Sequence, residues 1–319
     1  MFLLHTGHEH LPRASTFLDF LRYWELSPYV LATLGVVLAA YLLGRWRLAD
    51  RTKYPTFRTG PTLLYLGGFG ALALSLVSPV GRYAGDLFFM HMVQHLLLMM
   101  VAVPLLLLAN PAQVYLWALP QAARRGVGQV LSRTGLLRRL LTGVTVPVFT
   151  WLVFVGAIWV WHTPTAYNAA LNSETLHATE HLVMFGAAVL FWWPVIGPAP
   201  VRSLLPYPLR FLYLFLALFQ NIVLGGILTF GKGPIYSHYQ AAPDHWGVTP
   251  AMDQQLGGII MWIPGAMMFV GAILILLYLW LEQEERAEAK MRRDQETRRR
   301  FLEGRANAGK LDRTASRQD

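Results

Sequence analysis

The chain has 319 residues, of which 55% are hydrophobic and only 14% charged. A soluble domain carries about 25% charge, so an ordinary soluble globular fold is excluded. Cysteine is absent, which excludes disulfides and thiolate metal ligands, and the formal net charge of +9 has a topological origin rather than a nucleic-acid partner.

Residues 1–26 form a polar N-terminal segment holding His5, His8 and His10. The short apolar run Met1-Phe2-Leu3-Leu4 has no basic residue before it, so no signal-peptide pattern is expected. Seven runs long enough to cross a bilayer follow, at about 28–43, 61–78, 87–108, 144–161, 177–196, 209–230 and 256–281. Glycine and proline inside them (Gly67-Gly68, Pro104, Pro147, Pro264) are tolerated in membrane helices. The expected fold is all-α: a polytopic membrane bundle of seven transmembrane helices over residues 27–281, ending in a charged tail over 282–319.

Orientation follows from the basic residues. One set of connections holds Arg45, Arg47, Arg51, Lys53 and Arg58, then Arg124, Arg125, Arg133, Arg138 and Arg139, then Arg202 and Arg210. With the tail, that side carries 23 of the 27 Lys and Arg residues. The other side holds only Arg13, Arg22, Arg82 and Lys232. The alternation has no exception, so the N-terminus is expected outside and the C-terminus in the cytoplasm. The tail, as in Glu282-Gln283-Glu284-Glu285-Arg286, reads as a solvated helix near anionic lipid.

All ten histidines fall on the expected outer side. His91 and His95 begin the third span, His162 ends the fourth, and His177 and His181 begin the fifth. His238 and His245 lie in the loop before the seventh. The i, i+4 spacing of both pairs puts each pair on one helix face. Ionisable groups at membrane depth turn toward the bundle interior, so the pairs are expected to face each other.

Imidazole suits copper, zinc and iron, and thioether favours reduced copper. Met90, Met92, Met99, Met252 and Met261 are therefore possible soft ligands. Glu180 is placed to orient an imidazole from behind, and Asp253 to act as a ligand or as another such partner. Gln220 and Asn221 suggest interhelical hydrogen bonds, and Gly225-Gly226 and Gly257-Gly258 suggest close helix approaches.

The seventh span has no lysine for a retinal Schiff base. No inverted repeat, nucleophile–base set or phosphate loop stands out. Two readings stay open on the residues alone. One is a copper-handling or assembly protein, without enzymatic turnover. The other is a haem or redox protein with His91 or His95 facing His177 or His181 across a porphyrin.

The stretch Met90-His91-Met92-Val93-Gln94-His95-Leu96-Leu97-Leu98-Met99, followed by Pro104-Leu105-Leu106, resembles the CtaG family of cytochrome c oxidase assembly factors of the Bacillus type. Trp161-His162-Thr163-Pro164, His177-Ala178-Thr179-Glu180-His181 and Asp253-Gln254-Gln255-Leu256-Gly257-Gly258 fit the same pattern. The resemblance covers about residues 26–281. It implies a multi-pass bacterial plasma-membrane protein that helps mature the copper centre of a haem–copper oxidase, with the oxidase subunits as partners. By motif match it carries over His91, His95, His162, His177, His181 and Asp253 as metal-site positions.

Overall fold

The computed structural model describes residue 11 and residues 16–51, 59–130, 136–199, 205–240 and 245–315. Every regular element among them is a helix. His5, His8 and His10 lie outside the described residues, as do Arg13, Lys53, Arg58, Arg133 and Arg202.

The chain divides into two compact units, Met1–Val270 and Gly271–Asp319. The helices that carry the argument are α1 (Pro28–Arg51), α2 (Thr59–Val77), α3 (Phe88–Leu96), α4 (Val103–Ala109), α5 (Pro147–Trp161), α6 (Pro164–Leu171), α7 (Glu174–Ile196), α8 (Tyr207–Phe230) and α9 (Pro250–Ala315). The second unit consists of the later part of α9. It is apolar to Leu281, and the charged stretch that follows is exposed over residues 283–300. Pairs such as Glu282–Arg286 at 2.6 Å and Glu288–Arg292 at 3.6 Å run along it at i, i+4 spacing. Each supports the helix by only about 0.3–0.5 kcal/mol.

Among the described residues, six helices are long and apolar enough to cross a membrane, and a bent pair raises the count to seven if it forms one span. This is a membrane protein. The expected run at 144–161 falls on the second arm of that pair, in which Arg138–Val144 meets Pro147–Trp161 at 60°. Proline explains the break. Pro147 has no N–H to continue the earlier helix, and it restricts Val146, which is extended at φ −61° and ψ 127°. The 15 residues of α5 alone reach roughly 22 Å, short of a hydrocarbon core of about 30 Å.

Apolar side chains such as Val148, Leu182, Phe219 and Phe230 face outward, as lipid permits. The polar residues face in. Asn221 Nδ2 donates to the Met261 carbonyl at 2.7 Å, and Trp159 Nε1 donates to Gln220 Oε1 at 3.0 Å. These are the expected interhelical bonds. The glycine expectation holds at Gly225, Gly257 and Gly258 but not at Gly226, which has nothing within 4 Å: a Cβ on Gly225 would come within 3.0 Å of the Gly258 carbonyl oxygen, so α8 and α9 touch through their backbones. Gln254 closes the connection between them, donating to the carbonyls of Leu228 (3.2 Å) and Gly233 (3.1 Å) and accepting from Ile235 N (2.6 Å).

The third span is not a uniform α-helix. Leu97–Ala102, between α3 and α4, is a π-turn. There Val103 N–H reaches back five residues to the Leu98 carbonyl. In that register the Met99 carbonyl would need the N–H of residue 104, which is proline. The indole of Trp192 on α7 supplies the missing donor at 3.1 Å. One proline therefore ties the third span to the fifth.

Candidate metal centre

The two histidine-bearing helices start where specific carboxylate and hydroxyl groups hold them. At the start of α3, Leu87 offers no side-chain cap. The carboxylate of Asp253 on α9 caps it instead, accepting from Phe88 N at 2.7 Å and Phe89 N at 2.9 Å. At the start of α7, Ser173 accepts from Leu176 N at 3.4 Å. That start places His177 and His181 one turn apart, with Glu180 at i+3 from His177 and on the same face. His91, Gln94 and His95 repeat this spacing on α3. Gln94 Nε2 donates to the Ser75 carbonyl of α2 at 2.8 Å, which holds the rotation of α3.

The four paired imidazoles meet. Ring centroids are 4.3 Å apart for His91–His95, 4.4 Å for His177–His181, 5.5 Å for His91–His177 and 5.4 Å for His95–His181. Glu180 points among them, its Oε1 3.4 Å from His91 Nε2 and 3.8 Å from His95 Nε2. Its side chain is 1% exposed and that of His91 0%. Potential ligand atoms of His91, His95 and His181 lie within 4.8 Å of one another, as do those of His91, His177 and Glu180.

The donor set fits a cation on one further observation. Neither carboxylate oxygen of Glu180, neither ring nitrogen of His91 or His95, nor Nε2 of His181 has a hydrogen-bond partner among the described residues. Burying a carboxylate that accepts no hydrogen bond is strongly unfavourable. A bound cation would satisfy it and the imidazole lone pairs together.

His162, at the C-terminal end of α5, sits beside this cluster rather than within it. Its Nδ1 donates to the Ile158 carbonyl at 2.7 Å, and its ring lies 6.2 Å from Tyr167. Asp253 is placed apart, both its oxygens engaged in capping α3. His238 bridges the Gly85 carbonyl (2.9 Å) and Asn172 Oδ1 (3.2 Å), and His245 Nε2 lies 3.3 Å from Asp86. Both are loop fasteners. Of the candidate methionines, Met252 is exposed and Met90 packs against the cluster around Tyr83. Met92, Met99 and Met261 line a cavity of about 60 Å³ that also touches His95 and His162.

An aromatic cover closes the histidine end of the bundle. Tyr167 of α6 lies 5.1 Å from the His91 ring, and its hydroxyl is 3.0 Å from that of Tyr239. Tyr239 OH donates to the Ala84 carbonyl, and Tyr236 OH to that of His162, each at 3.0 Å. Burial, reinforced by the neighbouring phenols and Glu180, pushes the Tyr167 hydroxyl well above its ordinary pKa. It stays a neutral hydrogen-bonding group. Sequence reasoning passed over this cover. The available signal was Tyr236-Ser237-His238-Tyr239, two tyrosines in a short loop beside a helix pair rich in histidine.

A family model described as cytochrome c oxidase caa3 assembly factor (Caa3_CtaG) matches residues 39–283. Uncharacterized proteins of Mycobacterium bovis and Mycobacterium tuberculosis are each 27% identical over 288 residues, covering 89% of this chain. One from Mycobacterium leprae is 26% identical over 290 residues. The chain spans 43% of the length of these relatives. No solved structure matches.

Proposed function

This chain belongs to the cytochrome c oxidase caa3 assembly factor family, and from that premise we propose that it receives copper on the outer side of the bacterial plasma membrane and delivers it to a maturing oxidase subunit. His91, His95, His177 and His181 hold the ion, with Glu180 balancing its charge. His162 stands at the adjoining cavity, and Asp253 acts by fixing the start of α3. Copper here is cargo. It enters and leaves by exchange of ligands, with no bond made or broken in a substrate, so no enzymatic turnover is involved.

The observation that carries the reading is the buried carboxylate of Glu180, which accepts no hydrogen bond among the described residues and lies among four converging imidazoles. Nitrogen and carboxylate donors alone suit several metals. The family's association with a haem–copper oxidase favours copper among them. Haem fits the site less well. A porphyrin needs a broad flat slot between α3 and α7, whereas the facing imidazoles pack ring against ring and the cavity beside them measures about 60 Å³.

Metal analysis of protein purified in detergent without chelator, with its absorption spectrum recorded, tests this. Wild-type protein is expected to carry stoichiometric copper and no Soret band. The double variant His91→Ala/His95→Ala is expected to lose the copper. Undiminished copper in that variant, or a Soret band in wild type, overturns the reading.

A further inference from the structure

We infer that the cavity inboard of the histidine cluster is a second metal position, shaped for a soft monovalent cation, Cu(I) above all. The inference rests on the copper reading for the identity of the cargo, and on the cavity's own chemistry for the rest.

One buried thioether is ordinary packing. Here five of the chain's eleven methionines, Met92, Met99, Met100, Met184 and Met261, line one space of about 60 Å³. They come from α3, the π-turn, α7 and α9. Met99 and Met100 belong to the π-turn, whose wider winding shifts both side chains relative to a regular helix. A volume of this size admits an ion, since one water needs only roughly 10–15 Å³.

Two buried imidazoles complete the wall. His95 is 5% exposed and His162 8%. His162 is set up as a ligand. Its Nδ1 faces the Ile158 carbonyl, an acceptor only, so Nδ1 carries the proton and Nε2 keeps its lone pair. That Nε2 has no hydrogen-bond partner among the described residues.

A set of thioethers with two imidazoles selects Cu(I) over divalent ions, whereas the histidine–glutamate cluster suits divalent ions as well. His95 belongs to both positions. An ion can therefore leave the cluster for the cavity while one ligand stays attached, with no change of oxidation state.

The test is titration of the full-length protein in detergent with Ag(I), a redox-silent substitute for Cu(I), and separately with Co(II). The variant Met99→Leu/Met184→Leu/Met261→Leu preserves side-chain volume. It is expected to lose about 10–100-fold in Ag(I) affinity and to keep Co(II) binding. The variant His177→Ala/His181→Ala is expected to behave in the opposite way. Unchanged Ag(I) affinity in the triple variant, with an unaltered melting temperature, overturns the inference. X-ray absorption of the Ag(I)-loaded wild type gives a test free of folding artefacts: sulfur neighbours support the second position, and nitrogen and oxygen neighbours alone refute it. Co(II) binding without any Ag(I) binding sinks this inference and spares the cluster. Binding of neither ion sinks both.

Discussion

Asp253 shows how much a single residue's role depends on its partners. It stands near the histidine layer and has the chemistry of a ligand. In the fold, both its oxygens are spent on the first amides of α3, where the positive end of a helix favours a carboxylate. Asp253→Ala is expected to cost about 1–2 kcal/mol of stability, seen as a lower melting temperature in detergent. Metal content per folded molecule is expected to stay near wild type, and a selective loss of metal at full stability would make Asp253 a ligand after all. Glu180 shows the opposite displacement. Its sequence position suggests a residue behind the imidazoles, yet its carboxylate lies among them, 3.4 Å from His91.

At the scale of elements, close backbone and ring contacts set the register of the histidine helix. A Cβ added at Gly257 of α9 would collide with the ring of Phe88, which is fully buried and cannot swing aside. Gly257→Ala is expected to push the start of α3 away, costing about 1–3 kcal/mol and weakening metal retention. Gly226→Ala, with nothing within 4 Å of the new methyl group, serves as the control and is expected to leave stability equal or slightly raised. Thermal unfolding of the two variants side by side checks the contrast. The π-turn belongs to this scale too. Pro104 was readable as a tolerated membrane proline. Its consequence, a Met99 carbonyl handed to Trp192, needed the neighbouring helix.

For the whole molecule, the alternation of basic connections predicts that the histidine end of the bundle faces outward. The cysteine-free chain makes this directly measurable. Gln240→Cys and Gln121→Cys each introduce a lone thiol at an exposed position. In intact cells a membrane-impermeant maleimide is expected to label Gln240→Cys, and to reach Gln121→Cys only after permeabilisation. The reverse pattern would invert the topology and place the histidine cluster on the cytoplasmic side.

Hydropathy, proline and glycine placement, and the two i, i+4 histidine pairs are local properties of the chain. They sufficed for a membrane protein of helices, for the approximate spans, and for which histidines belong together; the family came from the resemblance of whole motifs. Only the tertiary structure decided that Glu180 joins the imidazoles, that Asp253 caps α3, that tyrosines cover the site, and that methionines from several elements share one cavity. The reason is physical. In lipid, an apolar helix gains little from hydrophobic burial when it turns one face or another inward, so its periodicity says little about its partners. Those are chosen by close glycine contacts, proline-freed carbonyls and a few polar groups seeking each other across the bundle.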